Sequence, residues 1–170
     1  MNNSIRAIAS GMAAFTAAAV MMAGPGPTVR AGVLDAPVPD FGQGKRGLVV
    51  YRMGPVYFEA GSVDTVIRCT NVSDAPIDLA VEVFGESGDL KGVWKHTALA
   101  PRQTMVYSTS PSRALPNAEG PANLDPIDHG KARVSATSAQ VSCDAQHVVL
   151  DGNGGTARTS TLEMVKRVAQ

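Results

Sequence analysis

Val63-Asp-Thr-Val-Ile-Arg-Cys-Thr-Asn71 places Val63, Thr65, Ile67 and Cys69 on one face, while Asp64, Arg68 and Thr70 share the other with Val66. A period of two is that of a strand with one face turned to a core, so Cys69 points inward. The period recurs over Ile77 to Phe84, where Ile77, Leu79, Val81 and Val83 alternate with Asp78, Ala80, Glu82 and Phe84. Between the two runs, Ser73-Asp-Ala-Pro76 is turn chemistry, because Asp can hydrogen-bond nearby backbone and Pro fixes φ. The two segments read as a hairpin.

Downstream, Gly85-Glu-Ser-Gly-Asp89 predicts a turn, Lys91 to Leu99 a short strand with the single tryptophan Trp94, and Ala100-Pro-Arg-Gln103 a turn into Thr104 to Thr109. Ser110 to Gly130 reads as a long irregular stretch with four prolines and the acids Glu119, Asp125 and Asp128. Loops of that length in a compact domain are functional or poorly ordered. Three more strands follow: Lys131 to Thr137 with Ala132, Val134 and Ala136 inward, Gln140 to Leu150 with Val141, Cys143 and Ala145 inward, and Thr159 to Val168. No stretch sustains helical periodicity. Strands at roughly 10-residue spacing with turns between them predict an all-β, antiparallel β-sandwich.

Cys69 and Cys143 are the only cysteines, each mid-strand, and they predict one disulfide stapling the two sheets together. Closing a loop of about 75 residues is worth roughly 4 kcal/mol in the chain-entropy model. Neither a C-x-x-C redox spacing nor a four-ligand zinc pattern is present, so the pair reads as structural.

The oxidising compartment that a disulfide needs agrees with the N-terminus. Met1 to Arg6 carries one positive charge, and Ala7 to Gly24 carries none and is rich in Ala and Met. That is the layout of a secretory signal peptide, shorter and less apolar than a membrane anchor. Cleavage after Ala23 or after Ala31 fits equally, and no nearby cysteine offers a lipid site. The resulting division is a signal peptide over 1–31, a flexible tail over 32–44 and a β-sandwich domain over 45–170. The product is expected in the periplasm or outside the cell, with no stable membrane span after cleavage. Residues 1–31 hold Arg6 and Arg30 and no acid, which leaves 13 basic against 15 acidic residues, a formal charge of −2. The pairs Lys45-Arg46 and Lys166-Arg167 are too small a basic patch for nucleic acid. About 140 residues suffice for one domain with a core of its own.

The succession Cys69-Thr-Asn-Val-Ser73, Val81-Glu-Val-Phe-Gly85, Leu99-Ala-Pro101, Tyr107-Ser-Thr-Ser110, Gly130-Lys-Ala-Arg-Val134 and Val141-Ser-Cys143 resembles a group of small, uncharacterised exported bacterial proteins. The likeness runs over most of Val63 to Arg167, through strand and turn residues. Arg102 stands where the turn more often holds Gly. The resemblance implies an immunoglobulin-like sandwich and bacterial export, and it brings no catalytic residue.

Read for chemistry, the chain offers His96, His129 and His147 among many serines, with no G-x-S-x-G elbow and no H-E-x-x-H pair. His147 shares the face of Cys143 and reads as a part-buried histidine near a strand end. Asp125, Asp128 and His129 in the long loop are the weak metal candidates. Asp151-Gly-Asn-Gly-Gly155 holds part of a calcium-loop pattern but lacks its third ligand and terminal Glu, so a glycine-rich hairpin turn fits better. Asn71-Val-Ser73 is a glycosylation sequon only in a eukaryotic host. These readings predict a non-enzymatic binding or structural module with no cofactor, meeting a protein or glycan of the cell envelope through sheet edges or the 110–130 loop. The alternative is a ligand or metal carrier, or a small hydrolase, using Asp125, Asp128 and His129. The fold alone cannot decide between them.

Overall fold

A computed structural model describes residues 37–110, 115, 117–120, 124–153 and 155–167, all within the compact unit Ala31–Gln170. The signal-peptide segment 1–31 and residues 32–36 of the tail lie outside the described residues. The described residues form nine strands: β1 (Leu48–Phe58), β2 (Val63–Asn71), β3 (Ile77–Phe84), β4 (Leu90–Leu99), β5 (Thr104–Ser108), β6 (Ile127–Ala136), β7 (Val141–Leu150), β8 (Thr156–Thr161) and β9 (Met164–Lys166). They make two antiparallel sheets, β4-β3-β6-β1-β9 and β5-β2-β7-β8. No helix among the described residues is long and apolar enough to cross a membrane.

The alternation that predicts the core faces holds. Ile67, Cys69, Ile77, Leu79, Val81, Val83, Ala132, Val134, Ala136, Val141 and Ala145 are all buried in one cluster. Tyr51 ties the sheets together from within, its hydroxyl donating to the Val141 carbonyl at 3.2 Å.

Four expectations need correction. First, β2 and β3 are not a hairpin, because β2 pairs with β5 and β7 while β3 pairs with β4 and β6. The turn chemistry at Ser73 to Pro76 is real but carries the chain from one sheet to the other. Asn71 organises it: its amide donates to the Ala75 and Leu99 carbonyls at 2.8 and 2.9 Å, and its Oδ1 accepts from the Ser73 N–H and hydroxyl. Second, the Cys69–Cys143 disulfide forms within one sheet instead of between two. The two cysteines are directly opposed on β2 and β7, 4.2 Å apart at Cα, the close spacing of a non-hydrogen-bonded pair. An immunoglobulin-type bridge joins opposite sheets. Third, Ile127 to Gly130 belong to β6, which pairs with β1 as far as Ile127–Phe58, so Asp128 and His129 stand on a strand rather than in a loop. Fourth, the last segment is two strands. β8 pairs with β7, and the chain then crosses at Leu162 so that β9 pairs with β1 in the other sheet.

The longest strand, β1, has no counterpart among the expected elements. Gly54 and Pro55 interrupt its alternation, and Pro has no N–H to give the ladder. The register with β6 shifts between Met53 and Val56, where the Gly54–Pro55 peptide is cis.

β3 is buried along its whole length. Its second face holds charges, and they are paired. Arg133, 0% exposed, binds both oxygens of Glu82, the Nη2–Oε1 contact being 2.9 Å, and lies 5.4 Å over the Phe84 ring. Residues 37–47 meet this face. Arg133 donates to the Pro37 carbonyl at 2.6 Å, Lys95 to that of Asp40 at 2.7 Å, and Lys45 to the buried Asp78 carboxylate at 2.7 Å. Gly47 sits beneath Phe41 and Val38, where a Cβ would come within 2.4 and 2.8 Å of them.

Candidate functional site

The residues with chemical potential fall into three places. Asp64, at the start of β2, is fully buried beside the end of β5. It accepts from the Thr109 hydroxyl at 2.6 Å, the Ser110 N–H at 2.9 Å and the Ser108 hydroxyl. Burial pushes its carboxyl up from the ordinary aspartate value, and the hydroxyl and amide donors only partly offset that. The Ser108 hydroxyl also lies within bonding reach of the Ser110 carbonyl. These groups fasten the exit of β5. From there Glu119 returns to pair with the edge of β5, its N–H donating to the Val106 carbonyl and its carbonyl accepting from the Ser108 N–H, each at 2.8 Å. Glu119 thereby covers part of the open edge of β5.

The second place is the junction of the two sheets around Tyr57 on β1. His129 of β6 and His147 of β7, from opposite sheets, both stand edge-on to the Tyr57 ring, with centroids 5.2 and 5.0 Å away. The His147 Nε2 lies 3.0 Å from the Pro55 carbonyl, which ties it to β1 as the part-buried residue its parity suggests. Of the three metal candidates, Asp128 and His129 meet at 2.8 Å with both side chains largely in solvent, and no ion pair joins Asp125 to them. Among the described residues no group of three or more His, Cys, Asp or Glu could hold a metal.

The third place is a cleft of about 610 Å³ on the outer face of the first sheet, lined by Arg52, Met53, Gly54 and Pro55 of β1, His129, Gly130 and Lys131 of β6, and Glu163 and Val165 around β9. Its size falls within the range of small-molecule pockets. It opens where both strands that build it lose regularity. β1 breaks register at Gly54 and Pro55. On β6, His129 adopts φ 53°, a conformation that is uncommon for a residue with a side chain and one that clusters at functional sites. Gly130 beside it is packed against backbone, since a Cβ there would lie 2.6 Å from the Phe84 carbonyl and 2.4 Å from Ile127. Val165, 58% exposed, gives the cleft an apolar wall.

His129 is the one residue singled out from sequence that lines this cleft. Arg52, Gly54, Pro55 and Glu163 carry no motif, Lys131 is read only as a strand residue, and β1 itself goes unread because Gly54 and Pro55 mask its period. Two other sequence candidates prove structural. Asn71 is buried with its amide engaged, so it cannot carry a glycan in the folded chain. Asp151 accepts from the Asn153 and Gly155 N–H groups at 3.0 and 2.7 Å, closing the β7–β8 hairpin turn. No family model, no curated protein and no solved structure matches this chain.

Proposed function

We propose that this chain is an exported, non-enzymatic binding module whose sandwich presents the β1–β6–β9 cleft to a small ligand. The observation that carries the reading is the coincidence of that cleft with two adjacent strand irregularities, one of them the positive-φ His129. Bulges recur beside binding sites because they re-aim side chains that a regular ladder would fix. Elsewhere the buried charges of the β3 face are satisfied internally, with Glu82 on Arg133 and Asp78 on Lys45. The hydroxyls nearest a buried carboxylate, on Ser108 and Thr109, are spent on Asp64, and neither residue lines the cleft. Export is supported by the uncharged run Ala7 to Gly24 behind Arg6, and by a disulfide that an oxidising compartment would form and keep.

The test is an amide-resolved NMR titration of residues 32–170 with a library of amino acids, short peptides, sugars and organic acids. Shifts clustered on Arg52 to Tyr57, His129 to Lys131 and Glu163 to Val165 are expected for at least one compound. If no compound moves those resonances, the cleft is not a binding site.

A further inference from the structure

We infer that the cleft takes a short peptide with both termini free, laid across the strands with its carboxylate toward β6 and its amine toward β9. This rests on the cleft being the binding site and adds the class of ligand. Met53 is opposed by Ala132 on one side and Met164 on the other. Gly54 follows Met53 where β1 shifts register, Lys131 precedes Ala132 and Glu163 precedes Met164, and all three line the cleft. Across β6, β1 and β9 they read positive, empty, negative. A Cβ at Gly54 would come 3.6 Å from the Lys131 side chain, so the missing side chain leaves the floor open between the two charges. Lys131 and Glu163 are both exposed, with no ion pair to another described residue.

Two strand spacings separate the charged walls by roughly 10 Å. An extended chain advances about 3.3–3.6 Å per residue, so a peptide of about three residues spans them. Pro55 and Val165 supply apolar surface for a central side chain. Lys131 shares the β6 wall with His129, Arg52 of β1 also lines the cleft, and Glu163 is the only acid lining it among the described residues.

The experiment uses alanyl-leucyl-alanine, its N-acetylated form and its C-amidated form, each titrated calorimetrically and by NMR into the domain and into Lys131→Gln and Glu163→Gln. The free tripeptide should bind about tenfold tighter than either blocked form, since each end makes a charge-assisted contact. Lys131→Gln should abolish the penalty for amidation and leave that for acetylation, and Glu163→Gln should do the reverse. Equal binding of free and blocked forms at the cleft, or a cleft that answers other library members but no tripeptide, would overturn the ligand class while leaving the cleft a binding site. Silence of the cleft toward every compound would remove the site itself.

Discussion

Cys69 and Cys143 are direct cross-strand partners on β2 and β7, with Cys69 fully buried in the inner face and Cys143 partly so. The bridge joins neighbours within one sheet but closes a sequence separation of 74 residues. It therefore pins the register of one long-range strand pair and constrains the unfolded chain, and the two sheets are held together by packing and by cross-sheet hydrogen bonds such as that of Tyr51 to the Val141 carbonyl. Cys69→Ala with Cys143→Ala should cost roughly 4 kcal/mol in denaturant unfolding. Native-state hydrogen exchange should show the loss first in β2 and β7, with β3 and β6 still protected. Equal loss in both sheets would contradict this division.

Glu82 and Arg133 are opposed on β3 and β6 under the 37–47 segment. Removing one partner leaves a buried charge without its counter-ion. Glu82→Gln or Arg133→Met alone is expected to cost about 3–5 kcal/mol, while Glu82→Leu with Arg133→Met should recover most of that. A double-mutant cycle by chemical denaturation measures it. Single variants that cost less than about 1 kcal/mol would show that water reaches the pair.

The inward faces are legible in the sequence because one buried face imposes period two on Val63 to Asn71, Ile77 to Phe84 and Lys131 to Thr137. The pairing of strands is not. Asp74 and Pro76 announce that the chain bends, but only Asn71, reaching the Leu99 carbonyl 28 positions on, shows where it goes. Asp78 and Glu82 read as a polar face because their partners, Lys45 and Arg133, are 33 and 51 positions away. The cleft is illegible for a related reason. It depends on a glycine gap, a proline and the backbone angle of His129, and none of these leaves a motif.

The Tyr107 hydroxyl is buried with no hydrogen-bond partner among the described residues. Burial and the nearby Glu119 push its ionisation well up, so it stays neutral. Tyr107→Phe removes an unsatisfied group while keeping the ring. The expected change runs from neutral to a gain of about 1 kcal/mol, read from the midpoint of urea unfolding. A loss above about 1 kcal/mol would mean that the hydroxyl has a partner.

Asp64 and Asp78 should bend the pH profile of stability in opposite senses. Burial raises Asp64 above 3.8, so its contribution is fully present below that value and is lost as pH rises through its folded value. Burial acts upward on Asp78 too, but the Lys45 ammonium and the Ala98 N–H outweigh it and its carboxyl is lowered. Its contribution is present above 3.8 and is lost as pH falls through its folded value. The stability difference between wild type and Asp64→Asn should therefore decline as pH rises above about 4. The difference from Asp78→Asn should shrink as pH falls below about 4. Urea unfolding at half-unit steps from pH 2.5 to 8 tests both slopes, and a rising Asp64 difference would reverse the assignment.

His129 and Gly130 divide the cost of the β6 irregularity between them, and substitution separates the shares. The strain at His129 is conformational: φ 53° suits Asn far better than a β-branched residue. His129→Val should therefore be less stable than His129→Asn by about 1–2 kcal/mol. At Gly130 the constraint is space, since an added Cβ meets the Phe84 carbonyl at 2.6 Å, a backbone atom that cannot swing aside. Gly130→Ala should cost more than about 2 kcal/mol and displace Lys131 along with the strand. Thermal unfolding ranks the three variants. A Gly130→Ala protein as stable as wild type, with unshifted cleft resonances, would show that β6 relaxes there freely and that the cleft does not depend on the close packing of Gly130 against β3.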